Sequence, residues 1–146
     1  MILKDFPGCR GRVGVASAIM KYDIFINTVA VLARVPREQA EVLAATTLQT
    51  LAERITEAEA HDLASELPKA LQVPLRANRG PAEQFGIQEF VHRVAQRAGV
   101  DTAQALDAVR AVLTTVHEAV SHGEFQDIMA QLPQEFRDLV LPVTVH

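Results

Sequence analysis

Residues 56–75 read TEAEAHDLASELPKALQVPL, and residues 121–140 read SHGEFQDIMAQLPQEFRDLV. The second stretch lies 65 positions after the first, and the two share a plan. Glu59 falls on Glu124, Asp62 on Asp127 and Leu67-Pro68 on Leu132-Pro133, while Leu63/Ile128 and Leu71/Phe136 are conservative pairs. Each stretch opens with S/T-x-x-E, the capping-box pattern: the hydroxyl accepts from an orphan N–H of the first turn, and the glutamate reaches back to the cap's own N–H. Leu-Pro then closes the helix, because proline pushes the residue before it out of the α region and is itself well placed to begin a new helix.

The same shift aligns residues 22–75 with 87–140 without a gap. Phe25 meets Phe90, Val29 meets Val94, Ala33 meets Ala98, Leu48 meets Leu113, Thr50 meets Thr115 and Glu53 meets Glu118. An ungapped register that also keeps the caps and the helix breaks reads as a tandem duplication, the first thing to seek in a chain. Each unit then holds four helices. The first covers 22–33 or 88–98, with Phe25, Val29 and Leu32, or Phe90, Val94 and Ala98, spaced for one buried face. Gly99 supplies a C-cap. The second and longest covers 37–55 or 102–120, where Leu106, Val109, Leu113, Val116 and Val120 make a continuous apolar stripe and Asp101 with Gln104 forms a capping box. A third helix follows the S/T-x-x-E cap, and a short fourth carries Leu71 or Phe136.

The expected fold class is therefore all-α: two tandem four-helix repeats packed into one compact helical bundle. The expected domain boundaries are an N-terminal tail over 1–20, repeat 1 over 21–75, a linker over 76–85, repeat 2 over 86–141 and a C-terminal tail over 142–146. Residues 1–19 stand outside the duplication, and the expectation is a disordered tail or an upstream misread start. A unit of this size has a marginal core of its own, so each is expected to lend the other a face.

Composition agrees with helices. Of 146 residues, 49% are apolar, 22% charged and only 5% aromatic, with no Trp, which suits a soluble helical domain better than a sheet. The net charge of -4 is the wrong sign for a protein whose main partner is nucleic acid. No apolar run approaches the roughly 18 residues of a membrane span. The single cysteine, Cys9, excludes an internal disulfide and any CxxC pair. A cytoplasmic setting is expected.

Candidate chemistry is sparse. HEAVSH, residues 117–122, comes within one residue of the zinc-protease HExxH. Five positions rotate two helical residues about 140° apart, whereas ligands at i and i+4 share a face. Ser121 moreover starts a new helix, so the zinc reading gives way to the cap, and His117 is read as a favourable group at the negative end of its helix. Glu59 with Asp62 and Glu124 with Asp127 would form a pair of pairs for a metal if the two stretches met face to face. Carboxylate-bridged bundles want Glu-x-x-His in addition, and the first-turn carboxylates are read as caps. His61, His92, His117, His122 and His146 are read as solvated or incidental. Cys9 in GCRGRVG lacks both a base and the Gly-Lys-Ser/Thr ending of a phosphate loop. Arg76, Arg79, Arg93, Arg97 and Arg110 are read as solvated surface. No catalytic, cofactor-binding or metal-ligating residue is assigned.

The pattern S-x-G-E-x-x-D-x-x-x-Q-L-P-x-E-[FY]-x-x-L, complete in residues 121–139, resembles the bacterial family catalogued as domain of unknown function 2267. The resemblance covers residues 21 to 141. The first unit departs from it at Ala58 and at Ala70-Leu71. The resemblance implies an all-helical bacterial cytosolic protein and brings no catalytic residues with it. The expected function is a non-enzymatic protein-interaction module, with a stress-associated setting as one form of it. Its partner would be another protein or a second copy of the chain, with no nucleic acid, no membrane and no cofactor. The alternative is a carrier of a small apolar ligand held in the helical core.

Overall fold

Caps and breaks divide the chain at the places its sequence marks. The computed structural model describes residues 20–77 and 80–140, which form helices and no strand: α1 (Tyr22–Ala33), α2 (Arg37–Arg54), α3 (Glu57–Ser65), α4 (Lys69–Arg76), α5 (Ile87–Ala98), α6 (Thr102–Ala119), α7 (His122–Ala130) and α8 (Gln134–Leu139). Helices α1, α2 and α3 begin and end 65 positions before α5, α6 and α7.

The punctuation works through identifiable bonds. α1 and α5 both end in a left-handed residue, Arg34 at φ 62° and Gly99 at φ 71°. In each case the next N–H reaches back into the last turn, Val35 to the Ala30 carbonyl and Val100 to that of Ala95, both at 3.0 Å. Asp101 Oδ1 accepts from the Gln104 N–H at 2.7 Å, whereas the corresponding cap of α2 is Pro36, which has no side-chain acceptor. Thr56 Oγ1 and Ser121 Oγ accept from the Glu59 and Glu124 N–H groups, each at 3.2 Å. α2 and α6 stop one residue short of expectation, at extended Ile55 and Val120.

The two long helices lie against each other at the centre, and each also receives the first helix of the other half. α1 packs on α6 as well as α2, and α5 packs on α2 as well as α6. α3 and α4 close one side, and α7 meets α3. The result is compact and all-helical. Phe25, Ile26 and Val29 of α1 are fully buried, and at about 1.5–3 kcal/mol for each buried large side chain they represent on the order of 5–9 kcal/mol. A domain's whole stability is about 5–15 kcal/mol, so the share of this burial that α6 supplies across the halves is large beside what keeps the fold together.

Enclosure changes the burial that periodicity implies. Residues 111–116 of α6 are all buried, because this stretch of the helix crosses the centre and has neighbours on every side. The expected stripe is corrected at its start, where Leu106 is 37% exposed, and in α1, where Leu32 is 37% exposed and Ile26 takes its place inside. Ala98 is only half-buried. Two fully buried threonines, Thr50 and Thr115, fit because their hydroxyls donate to carbonyls one turn back, Thr50 to Thr46 at 2.9 Å and Thr115 to Ala111 at 2.7 Å.

The connection between the halves is stitched down at its end. Glu83 N–H donates to the Glu53 carbonyl at 2.8 Å, and buried Arg54 Nε donates to the Phe85 carbonyl at 2.8 Å. Phe85 leads to Phe90 and then to Phe136, whose ring meets Phe90 edge-on at 5.3 Å. Glu135 accepts the Ile87 N–H at 2.9 Å.

Candidate functional site

Two places carry unusual chemistry. The first is the junction of α3 and α7. In a capping box Glu59 and Glu124 would turn back to the N–H of Thr56 and Ser121. Here those N–H groups are taken by side chains from the other half. Thr56 N–H donates to Gln131 Oε1 at 2.8 Å, and Ser121 N–H donates to Glu66 Oε1 at 2.7 Å. Glu66 and Gln131 are the C-caps of α3 and α7, 65 positions apart. The expectation is therefore half corrected: the hydroxyls cap as expected, but the glutamates do not close the boxes.

Released from that role, Glu59 and Glu124 turn towards each other. Each is 8% exposed, and the Oε2 of each is buried without a hydrogen-bond partner. One carboxylate oxygen from each lies within 4.8 Å of the other and of one from exposed Asp127. The Glu124 carboxyl is pushed up to about 9, first by burial, then by the hydrogen bond and charge of Glu59, then by the charges of Glu66 and Asp62. All of these influences favour its neutral form. At neutral pH a proton on Glu124 relieves the repulsion, and Glu124 donates it towards Glu59. Of the two i,i+3 carboxylate pairs, Glu59, Glu124 and Asp127 thus come together, in a geometry that can hold a proton or a hard cation, while Asp62 acts on Glu124 only through its charge.

Beside the junction, His117 in α6 stacks on Phe125 in α7, centroids 4.0 Å apart at 11°. Burial, and after it the charge of His122, lowers its pKa, so the ring stays neutral rather than serving as the helix-end cation expected from sequence. His117 and His122 sit on different helices, as the cap at Ser121 requires. His61 and His92 are exposed; His146 and Cys9 lie outside the described residues. Of the five arginines, Arg93 pairs with Glu53, Glu83 and Glu89, and Arg97 with Glu53. Arg93 also covers the Phe85 ring at 4.0 Å. Arg76 and Arg110 are exposed, and Arg79 lies outside the described residues.

The second place is the outer face of α1. Ile24 is 53% exposed and Val31 75%, and with Asn27, Thr28 and Leu32 they line a shallow groove of about 340 Å³. Val42 and Val73 are exposed as well. At the positions 65 residues later stand Glu89, Gln96, Arg97, Asp107 and Asp138, in place of Ile24, Val31, Leu32, Val42 and Val73. At these five positions the first half is apolar outside and the second polar. A further groove of about 440 Å³ opens between α5 and α6, lined by Ile87, Gln88, Val91, Thr102, Ala103 and Leu106. No helix among the described residues is long and apolar enough to cross a membrane.

Residues 22–139 match the model of a family described as an uncharacterized conserved protein, DUF2267. No curated protein matches the chain.

Proposed function

Since the chain belongs to the DUF2267 family of uncharacterized conserved proteins, whose description supplies no activity, we propose from its surface that it is a non-enzymatic protein-interaction module of the bacterial cytoplasm. The observation that carries this reading is the outer face of α1. Ile24, Thr28 and Val31 follow one another at helical spacing, which suits an amphipathic partner helix or a second copy of the chain. Contiguous exposed apolar surface costs solubility unless something covers it, and the other half carries polar or charged residues at the matching positions, Glu89, Arg93 and Gln96. The tandem duplication expected from sequence explains the pattern: two related units share the interior, and one has kept an exterior for docking.

The test is the double substitution Ile24→Glu with Val31→Glu. Both side chains point outward, so the variant keeps its helical circular dichroism and its melting temperature within the about 0.5 kcal/mol typical of surface changes. A host protein held stoichiometrically by the wild type, or its self-association in sedimentation, is lost in the variant. Retention of the same partner at the same affinity defeats the reading.

A second reading rests on the groove between α5 and α6. Its volume falls within the roughly 300–1,000 Å³ of small-ligand sites, and its lining is mainly apolar, as a carrier of a small apolar ligand needs. A bound small mass in native mass spectrometry, lost on Val91→Glu, would favour it.

A further inference from the structure

The α3–α7 junction contains two acidic side chains that ordinary folding has no reason to bring together. Glu59 and Glu124 are both more than nine-tenths buried, the Oε2 of each is without a hydrogen-bond partner, and a carboxylate oxygen of each lies within 4.8 Å of the other and of Asp127. Desolvating a carboxylate without a partner is costly, and a single shared proton makes only one contact between the two groups. A cation touching both would replace that proton and take an oxygen from each.

We propose that the junction is a binding site for a hard divalent cation, Ca²⁺ or Mn²⁺, held by the carboxylates of Glu59, Glu124 and Asp127. The donor set fixes the class. Only oxygens belong to the group, and without a nitrogen or sulfur donor it suits Ca²⁺, Mn²⁺ or Mg²⁺ rather than Zn²⁺ or Cu²⁺. Hydration narrows it. Mg²⁺ demands near-ideal octahedral geometry and gives up its waters reluctantly, whereas Ca²⁺ accepts irregular shells of carboxylate oxygens. Three carboxylate oxygens within 4.8 Å of one another, two of them from buried residues, suit the more tolerant ion. Asp127 is exposed, so the site opens to water on that side, and water completes the six to eight ligands that Ca²⁺ takes. Asp62 and Glu66 lie close enough to act on Glu124 and add to the negative field. A bound ion would join α3 of one half to α7 of the other, which makes it a clamp.

The experiment is thermal melting of the full chain, stripped with a chelator, against Ca²⁺, Mn²⁺ and Mg²⁺ up to about 10 mM. That concentration is about tenfold or more above the dissociation constants of weak calcium sites. The expected result is a melting temperature that climbs with Ca²⁺ or Mn²⁺ and less with Mg²⁺, with one Mn²⁺ per chain by electron paramagnetic resonance. Glu124→Gln and Asp127→Asn should keep the helical spectrum and weaken binding about tenfold or more. Asp127 is exposed, so its variant reads the site even if Glu124→Gln folds poorly. Glu38→Gln, on a different helix, should leave binding as it is. No shift with any of the three ions overturns the proposal, and so does a shift that both junction variants leave undiminished.

Discussion

The halves before and after the connection agree inside and differ outside. Phe25 and Phe90, Val29 and Val94, Leu48 and Leu113, and Leu71 and Phe136 are buried at positions 65 apart. Outside, Ile24, Val31, Leu32, Val42 and Val73 face Glu89, Gln96, Arg97, Asp107 and Asp138 across the same shift. Interior positions are tied by close packing, where a lost or added methylene is felt. Exterior positions are free to change, so a difference confined to them points to use rather than to folding. The comparison also shows which features neither half owns. Each long helix takes the first helix of the other half, and each N-cap at the α3–α7 junction takes its partner from across the molecule.

The largest expected effect comes from separating the halves. Residues 84–146 alone would expose the surface that α1 and α2 cover, and should either lose cooperative melting or dimerise. A stable monomer, by light scattering and a sharp melt, breaks the interlocked account. Next comes the core: Phe25→Ala and Phe90→Ala should each cost about 3–5 kcal/mol in urea titration. Phe90→Ala should cost more by about 0.5–1.5 kcal/mol, because Phe90 also loses its edge-on contact with Phe136. Equal costs would mean that the aromatic pair adds nothing beyond burial.

The junction gives a pH signature in cation-free buffer. The folded chain holds the Glu124 proton up to about 9, while the unfolded chain releases it near the ordinary 4.5. Between these values the folded state binds more protons, so this group's contribution to stability falls as pH rises. Glu124→Gln removes that loss and keeps a donor for Glu59. It should stabilise the protein by about 1–2 kcal/mol at pH near 8, after allowance for solvent screening, and much less near pH 5. A variant less stable at both pH values would show that the carboxyl is held by a partner other than Glu59. The smallest effect is at the ends of α1 and α5. Arg34 occupies the left-handed position that Gly99 holds in the other half, so Arg34→Gly should raise stability by roughly 0.5–1 kcal/mol. Gly99→Ala should lower it by a similar amount.

Local chemistry was legible in the sequence, and chemistry across the molecule was not. Helix ends at Leu67-Pro68 and Leu132-Pro133, and caps at Thr56, Asp101 and Ser121, depend on neighbours a few residues away, so spacing alone places them. The direction of Glu59 and Glu124 depends on Gln131 and Glu66, which lie 75 and 55 positions from the caps they satisfy. The signal was present in one form: long polar side chains stand at corresponding C-caps of α3 and α7, and a residue there can reach across only if the helices are antiparallel neighbours. Leu32 and Leu106 fit the helical period and still face solvent, because periodicity ranks the faces of a helix without saying which neighbour covers its ends. The outer face of α1 was hidden for the opposite reason: Ile24 and Val31 look like core until compared with Glu89 and Gln96.

A photo-cross-linking residue placed at Val31, and in a second protein at Gln96, would be activated in living host cells and the adducts weighed. The expected result is a discrete adduct of one added protein mass, or of a second copy, from position 31 and none from position 96. Equal labelling from both positions, or from neither, would contradict it.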